Sequence, residues 1–204
     1  ILMMSNAGLT AADPISGSLL WQYDWAIDEG ARIVQPAVIG NGEILVATGY
    51  GKGTRRIRVE NGPGAWQVEE LWHSRFLKPY FNDFVVQGDF VYGFDGRILT
   101  CVDLATGERM WKGGRYGYGQ LVLLADQDLL LILSETGRVA LVEARPEGFL
   151  ELGGFQALDG KTWNHPVVAQ GKLFVRNAEE AVCYELPPSG PRLASTPIGL
   201  NVSA

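Results

Sequence analysis

The chain has 204 residues, 47% of them hydrophobic and 20% charged, with a formal net charge of −6 and a pI near 5.0. That length and composition suit one all-β domain, and the acidic balance argues against nucleic acid as the main partner, because phosphate backbones are held by a basic field. The longest apolar runs, LVLLA at 121–125 and LLLIL at 129–133, are of strand length and too short to span a bilayer.

The opening ILMMSNAG lacks the basic start and long apolar stretch of a signal peptide. It does not begin with a methionine, so the natural start is expected upstream. From there the chain alternates short apolar runs with turn pairs such as Asn41-Gly42, Asp95-Gly96 and Asp159-Gly160. Such punctuation, with no dozen-residue stretch of helical periodicity, predicts many short strands and an all-β fold.

In chain order, ILMMS (1–5) reads as a second strand, followed by a third ending at Asp13 and a fourth carrying Trp21. The next unit runs PAVIG (36–40), EILVAT (43–48), RIRVE (56–60) and EELW (69–72). The third runs DFVVQ (83–87), FVYGF (90–94), ILTCVD (98–103) and RMW (109–111). QLVLLA (120–125), LLLILS (129–134) and VALVE (139–143) open the fourth, and HPVVAQ, LFVRN and AVCYE over 165–185 make the fifth.

Three columns repeat with one period. The acid after an apolar strand recurs at Asp13, Glu60, Asp103, Glu143 and Glu185, spaced 47, 43, 40 and 42. A large apolar residue recurs at Trp21, Trp72, Trp111 and Leu152, spaced 51, 39 and 41. The third column is the opening strand of each unit. Units of about 40–50 residues with four antiparallel strands are the blades of a β-propeller. The expected units are 1–24, 32–73, 82–112, 119–153 and 164–186, followed by an irregular tail at 187–204.

The best-preserved copies are Asp13-Pro-Ile-Ser16-Gly17 before Trp21 and Asp103-Leu-Ala-Thr106-Gly107 before Trp111. The carboxylate is expected to accept N–H groups of its own turn, and the glycine to take the positive φ that closes the hairpin. The tryptophans are expected to fill the wedge between blades, each indole N–H needing a partner.

The A/V-D-x-x-[ST]-G-x-x-x-W pattern at 12–21 and 102–111 resembles the repeat of quinoprotein-dehydrogenase-like propellers, the pyrroloquinoline quinone (PQQ) repeat family, over residues 1–186. That family includes quinone-dependent dehydrogenases and cofactor-free binding propellers. The resemblance therefore implies two readings. One is a non-enzymatic scaffold with no cofactor that binds a protein or small ligand. The other is a PQQ- and calcium-dependent dehydrogenase with key residues in a missing N-terminal half. It also implies a periplasmic or secreted location. The dehydrogenases carry a vicinal cysteine disulfide, a stacked tryptophan and a Glu/Asn/Asp calcium set. Here the cysteines are Cys101 and Cys183, 82 residues apart and in one column of blades two apart. Both are expected to be buried free thiols, too distant to pair.

Three full units and two partial ones predict an incomplete ring, since closed propellers have roughly 4–8 blades. The expected whole is a seven- or eight-bladed protein of which this is the C-terminal half, or else a half-ring closed by a second copy.

The loops leading into the opening strands are the candidate site. They hold Lys78, Tyr80, Asn82 and Asp83, then Arg115, Tyr116, Tyr118 and Gln120, then Lys161, Trp163, Asn164 and His165. Brought together at an axial mouth, these cations, rings and amides suit an anionic or sugar-like ligand or a peptide strand. Alternatively, Asn82, Gln120 and Asn164 tie neighbouring blades while Tyr118 and Trp163 plug the channel. Asp83 and His165 form a candidate acid–base pair with no nucleophile beside it. No metal-ligand spacing is present, and neither GYGKG at 49–53 nor GYG at 117–119 continues into a helix as a phosphate loop would.

Overall fold

A computed structural model describes residues 1–26, 30 and 32–187. The expected irregular tail lies, from residue 188 on, outside the described residues. The strands form five antiparallel sheets in chain order. Blade 1 holds β1 (Leu2–Ser5), β2 (Gly8–Ala12) and β3 (Leu19–Asp24). Blade 2 holds β4 (Ala37–Gly40), β5 (Glu43–Thr48), β6 (Gly53–Asn61) and β7 (Trp66–Ser74). Blade 3 holds β8 (Val85–Gln87), β9 (Phe90–Asp95), β10 (Ile98–Asp103) and β11 (Arg109–Arg115). Blade 4 holds β12 (Gln120–Leu124), β13 (Leu129–Leu133), β14 (Arg138–Glu143) and β15 (Glu151–Gln156), and blade 5 holds β16 (Val167–Ala169), β17 (Lys172–Arg176) and β18 (Ala181–Glu185). Three four-stranded blades lie between two three-stranded ones, an incomplete propeller.

The core is divided among the seams. Leu9, Trp21 and Trp25 meet Ile44, Val46 and Ile57 between blades 1 and 2, and Leu45, Leu77, Phe84, Val91 and Val102 fill the seam between blades 2 and 3. Tyr92, Cys101 and Trp111 of blade 3 pack on Leu121, Ile132 and Val142 of blade 4, and Leu131, Leu133 and Val139 pack on Leu173 and Val175 of blade 5. Each blade thus buries one face on each neighbour, the arrangement that makes a radial repeat stable.

The turn chemistry follows from the sequence. Asp103 Oδ1 accepts the Thr106 N–H and hydroxyl, both at 2.8 Å, and Gly107 sits at φ 75°. Asp13 Oδ1 accepts the Ser16 N–H at 2.7 Å and the Ile15 N–H at 3.0 Å, with Gly17 at φ 71°. The Ser16 N–H is the chief reason that the Asp13 carboxyl lies below its ordinary range. The indoles reach across the seams: Trp111 Nε1 donates to the Arg145 carbonyl at 2.7 Å and Trp72 Nε1 to the Leu104 carbonyl at 3.0 Å.

The strand register corrects two columns. Trp21 pairs with Ala11, Trp72 with Arg56 and Trp111 with Cys101, and the equivalent partner of Leu141 is Gly153, not Leu152. Among the described residues each fourth strand carries a β-bulge at this point, and Leu20, Leu71, Met110 and Leu152 are its extra residues. Leu152 therefore belongs to the bulge column; a bulge leaves one residue unpaired and shifts all that precede it. In blade 2, Arg58 pairs with Glu43 where Asp103 pairs with Phe90, so Arg58 holds the acid position and Glu60 lies two residues beyond. The longer β6–β7 hairpin carries the Val59-Glu60 sequence past the turn site. Glu43 answers the reversed charge by accepting from Arg58 at 2.7 Å and from Arg56 Nε at 2.8 Å.

One burial expectation also fails. Cys101 is buried, but Cys183 is exposed. Its face of blade 5 points away from blade 4, and no described residue covers it. Both thiols are free, as expected.

Candidate functional site

Antiparallel blades send two sets of connections to one side: the loops into β8, β12 and β16, and the hairpin turns β5–β6, β9–β10, β13–β14 and β17–β18. These meet in a chain of rings. Tyr80 lies 4.6 Å from Tyr50 and 5.1 Å from Tyr118, centroid to centroid. Phe81 lies 5.8 Å from Tyr118 and 4.9 Å from Trp163. Tilted and edge-on pairs at these distances attract beyond the area they bury. The hydrogen bond between Tyr50 and Tyr80 is the first cause raising the Tyr80 phenol above its ordinary range.

Polar groups frame the rings. Lys161 Nζ stands 3.4 Å above the Trp163 ring and the Arg97 guanidinium 4.8 Å above Tyr118. Glu135 accepts the Trp163 indole N–H at 3.0 Å and the Tyr118 backbone N–H at 3.2 Å. Asp83 Oδ2 and His165 Nε2 approach to 3.5 Å, joining loops two blades apart, while Asp83 Oδ1 accepts the Gln35 N–H at 3.1 Å. The fold thus brings Tyr80, Tyr118, Lys161, Trp163, Asp83 and His165 to one mouth.

Other candidate residues have structural partners. Asn82 is fully buried and donates to the Gly119 carbonyl at 3.0 Å; Gln120 donates to the Trp163 carbonyl at 3.1 Å. Each amide ties one blade to the loop of the next. Asn164 has the same place in its loop, and no further blade stands beside it among the described residues. Lys78 is bound to Asp95, which Lys112 also grips at 2.5 Å and Arg109 at 3.2 Å. Burial alone would push the Asp95 carboxyl up, but Lys112 and Lys78 outweigh it and hold it below its ordinary range. Tyr116 is buried in the seam, its hydroxyl on Glu151 at 2.5 Å; burial first, then that bond, drives its phenol up. Arg115 is exposed at the end of β11.

The sequence reading missed Tyr50, Arg97, Glu135 and Arg138, all at the β5–β6, β9–β10 and β13–β14 connections. The signal was available: in a four-stranded antiparallel unit, the turn between strands two and three falls on the same side as the loop into strand one.

A sequence-family model described as outer membrane protein assembly factor BamB matches residues 1–113. The chain belongs to this PQQ-repeat propeller family. No curated protein matches it. Among solved structures, BamB from Moraxella catarrhalis aligns at 15% identity and TM-score 0.50, over 89% of this chain and 68% of that one. A functionally unknown protein from Desulfotomaculum acetoxidans aligns at 14% identity and TM-score 0.61, over 90% and 64%. The computationally designed Ika8 protein aligns at 10% identity and TM-score 0.58, over 83% and 49%. The chain spans 49–68% of the lengths of these three, and at such identities the likeness concerns the fold.

The family name raises the question of fit to PQQ and calcium. Cys101 lies in the seam between blades 3 and 4 and Cys183 on the far face of blade 5, so neither supplies a vicinal sulfur pair. Among the described residues no three His, Cys, Asp or Glu side chains stand together as metal ligands. The described residues do not supply that set. Nor, among them, is any helix long and apolar enough to cross a membrane.

Proposed function

We propose that this protein is a non-enzymatic propeller scaffold that works outside the cytoplasm, without a cofactor, and docks a segment of a partner protein at its axial mouth. The observation that carries this reading is the run of rings from Tyr50 through Tyr80, Phe81 and Tyr118 to Trp163. It is assembled from four separate connections, and Trp163 keeps 42% of its surface exposed. Rigid aromatic anchors beside cations are the residues on which protein interfaces concentrate their energy. The acid–base pair of Asp83 and His165 lacks a nucleophile and serves here to brace two loops. Membership of a family described as an assembly factor supports a scaffold outside the cytoplasm.

The test is site-specific photo-crosslinking in the native host. A photoreactive residue at Tyr80 or Trp163 is expected to give a discrete adduct with a protein, and one at Ile15, exposed on a hairpin turn, is expected to give none. Equal labelling from both places would sink the mouth reading. Saturable tryptophan quenching by PQQ with calcium, lost in Trp163→Ala, would instead establish the dehydrogenase-like alternative.

A further inference from the structure

Beside the mouth, blades 3 and 4 enclose a cleft of about 290 Å³ whose lining includes Arg97, Arg115, Ser134, Glu135, Thr136 and Arg138. Three guanidiniums reach it from separate places: Arg97 from the β9–β10 turn, Arg115 from the end of β11 and Arg138 from the start of β14. In a chain of net charge −6, this is a local reversal of sign.

The nearby carboxylates are already occupied. Both oxygens of Glu135 are turned to the Trp163 indole and the Tyr118 N–H. Glu151 is held by Arg138 at 2.5 Å and by the Tyr116 hydroxyl at 2.5 Å. The Arg97 guanidinium lies 4.8 Å over the Tyr118 ring, a contact with a neutral partner that leaves its charge unneutralised. Among the described residues neither Arg97 nor Arg115 has a carboxylate within ion-pair distance.

The hydroxyls add a donor. Ser134 Oγ accepts the Arg138 N–H at 3.0 Å and lies 3.1 Å from Thr136 Oγ1. Whichever hydroxyl donates to the other, one O–H remains to point elsewhere. One carboxylate would satisfy a single guanidinium fork. The two forks of Arg97 and Arg115 with a hydroxyl match the three terminal oxygens of a phosphate group. The cleft is also larger than the ion, close to the roughly 300 Å³ at which small-molecule pockets begin.

We propose that the cleft is a phosphate site, holding the phosphate group of a small anionic ligand through Arg97, Arg115 and the Ser134–Thr136 hydroxyl pair. This assignment stands apart from the mouth reading and needs no protein partner.

The experiment is titration calorimetry on the whole chain at fixed ionic strength, with inorganic phosphate, a phosphate monoester (glycerol 2-phosphate), acetate and chloride as probes. Wild-type protein is expected to give a saturable heat with phosphate or the monoester and none with acetate or chloride. Arg115→Gln and Arg97→Gln are each expected to weaken binding about tenfold or more, as loss of a charge-assisted pair does. Both side chains are exposed, so retained circular dichroism is expected in both variants. Tighter binding of the monoester assigns the site to a phosphate-bearing molecule, and tighter binding of the free ion assigns it to phosphate itself. The proposal is overturned if no saturable heat appears, if acetate binds as well as phosphate, or if both variants bind like wild type.

Discussion

Blade 3 and blade 5 carry rows of like residues in the same register and treat them in opposite ways. In blade 3, Val85 pairs with Tyr92, Tyr92 with Cys101 and Cys101 with Trp111. In blade 5, Val167 pairs with Phe174 and Phe174 with Cys183. Tyr92 is 1% exposed and Cys101 0%, whereas Phe174 is 43% and Val167 53% exposed. The residues are of like size and the strands alike in register. What differs is that blade 4 covers the first row, while no described residue covers the second. Burial in this fold is conferred by the neighbouring blade and not by the strand that carries the residue.

The largest consequence should be seen with matched truncations. Tyr92→Ala is expected to cost about 3–5 kcal/mol in urea denaturation, as for other buried aromatic side chains. Phe174→Ala should stay within about 0.5 kcal/mol, the ordinary range for a surface change. Equal losses would mean that blade 5 is covered in solution.

Next in size is the indole tie across the seam. Trp111→Phe keeps the ring and removes the bond to the Arg145 carbonyl, leaving that acceptor without its partner. The expected loss is about 1–2 kcal/mol, and loosening of the seam should let Cys101 react faster with a thiol reagent.

The thiols themselves sharpen the contrast. Burial pushes the Cys101 thiol up to about 12, so it should remain protonated and unreactive through mildly alkaline pH, while Cys183 reacts at once. One fast thiol in the folded chain and two in denaturant is the expected count. Two fast thiols under native conditions would refute the seam assignment.

The smallest effect concerns acid. The folded Asp95 carboxyl titrates below its unfolded value near 3.9. Its contribution is therefore present above about pH 4 and is lost as pH falls through the folded pKa. Asp95→Asn should lower stability at neutral pH and flatten the part of the acid limb below about pH 4; an unchanged slope would show that Lys78, Lys112 and Arg109 do not act through this carboxylate.

Much of the fold was legible because the repeat writes itself in turn chemistry. Asp13-to-Gly17 and Asp103-to-Gly107 specify their hairpins with a carboxylate, a hydroxyl and a positive φ, all local. The misread positions came from long-range register. A longer β14–β15 hairpin moved the tryptophan position of blade 4 on to Gly153, so that a count from the acid fell on the bulge residue Leu152, and a longer β6–β7 hairpin placed Glu60 in the acid column. Neither event has a composition of its own. The mouth was half legible: its rings lie in loops of unusual composition, but Tyr50, Arg97, Glu135 and Arg138 sit in connections that look like ordinary hairpin turns. Their role depends on which end of the blade those turns face. Cys183 was misjudged because its neighbour, and not its own strand, decides its exposure.

The amides of Asn82 and Gln120 both point forward, each donating to a carbonyl just ahead of the next blade's opening strand. The linkage therefore has a direction along the chain, and each link spans about one repeat. Close-range links of this kind favour rapid folding, since little loop entropy is lost before each one closes. During synthesis a blade would wait with its donor unspent until the following loop emerged to accept it. The propeller would then be assembled like a zip, every new blade fastening the one made before it.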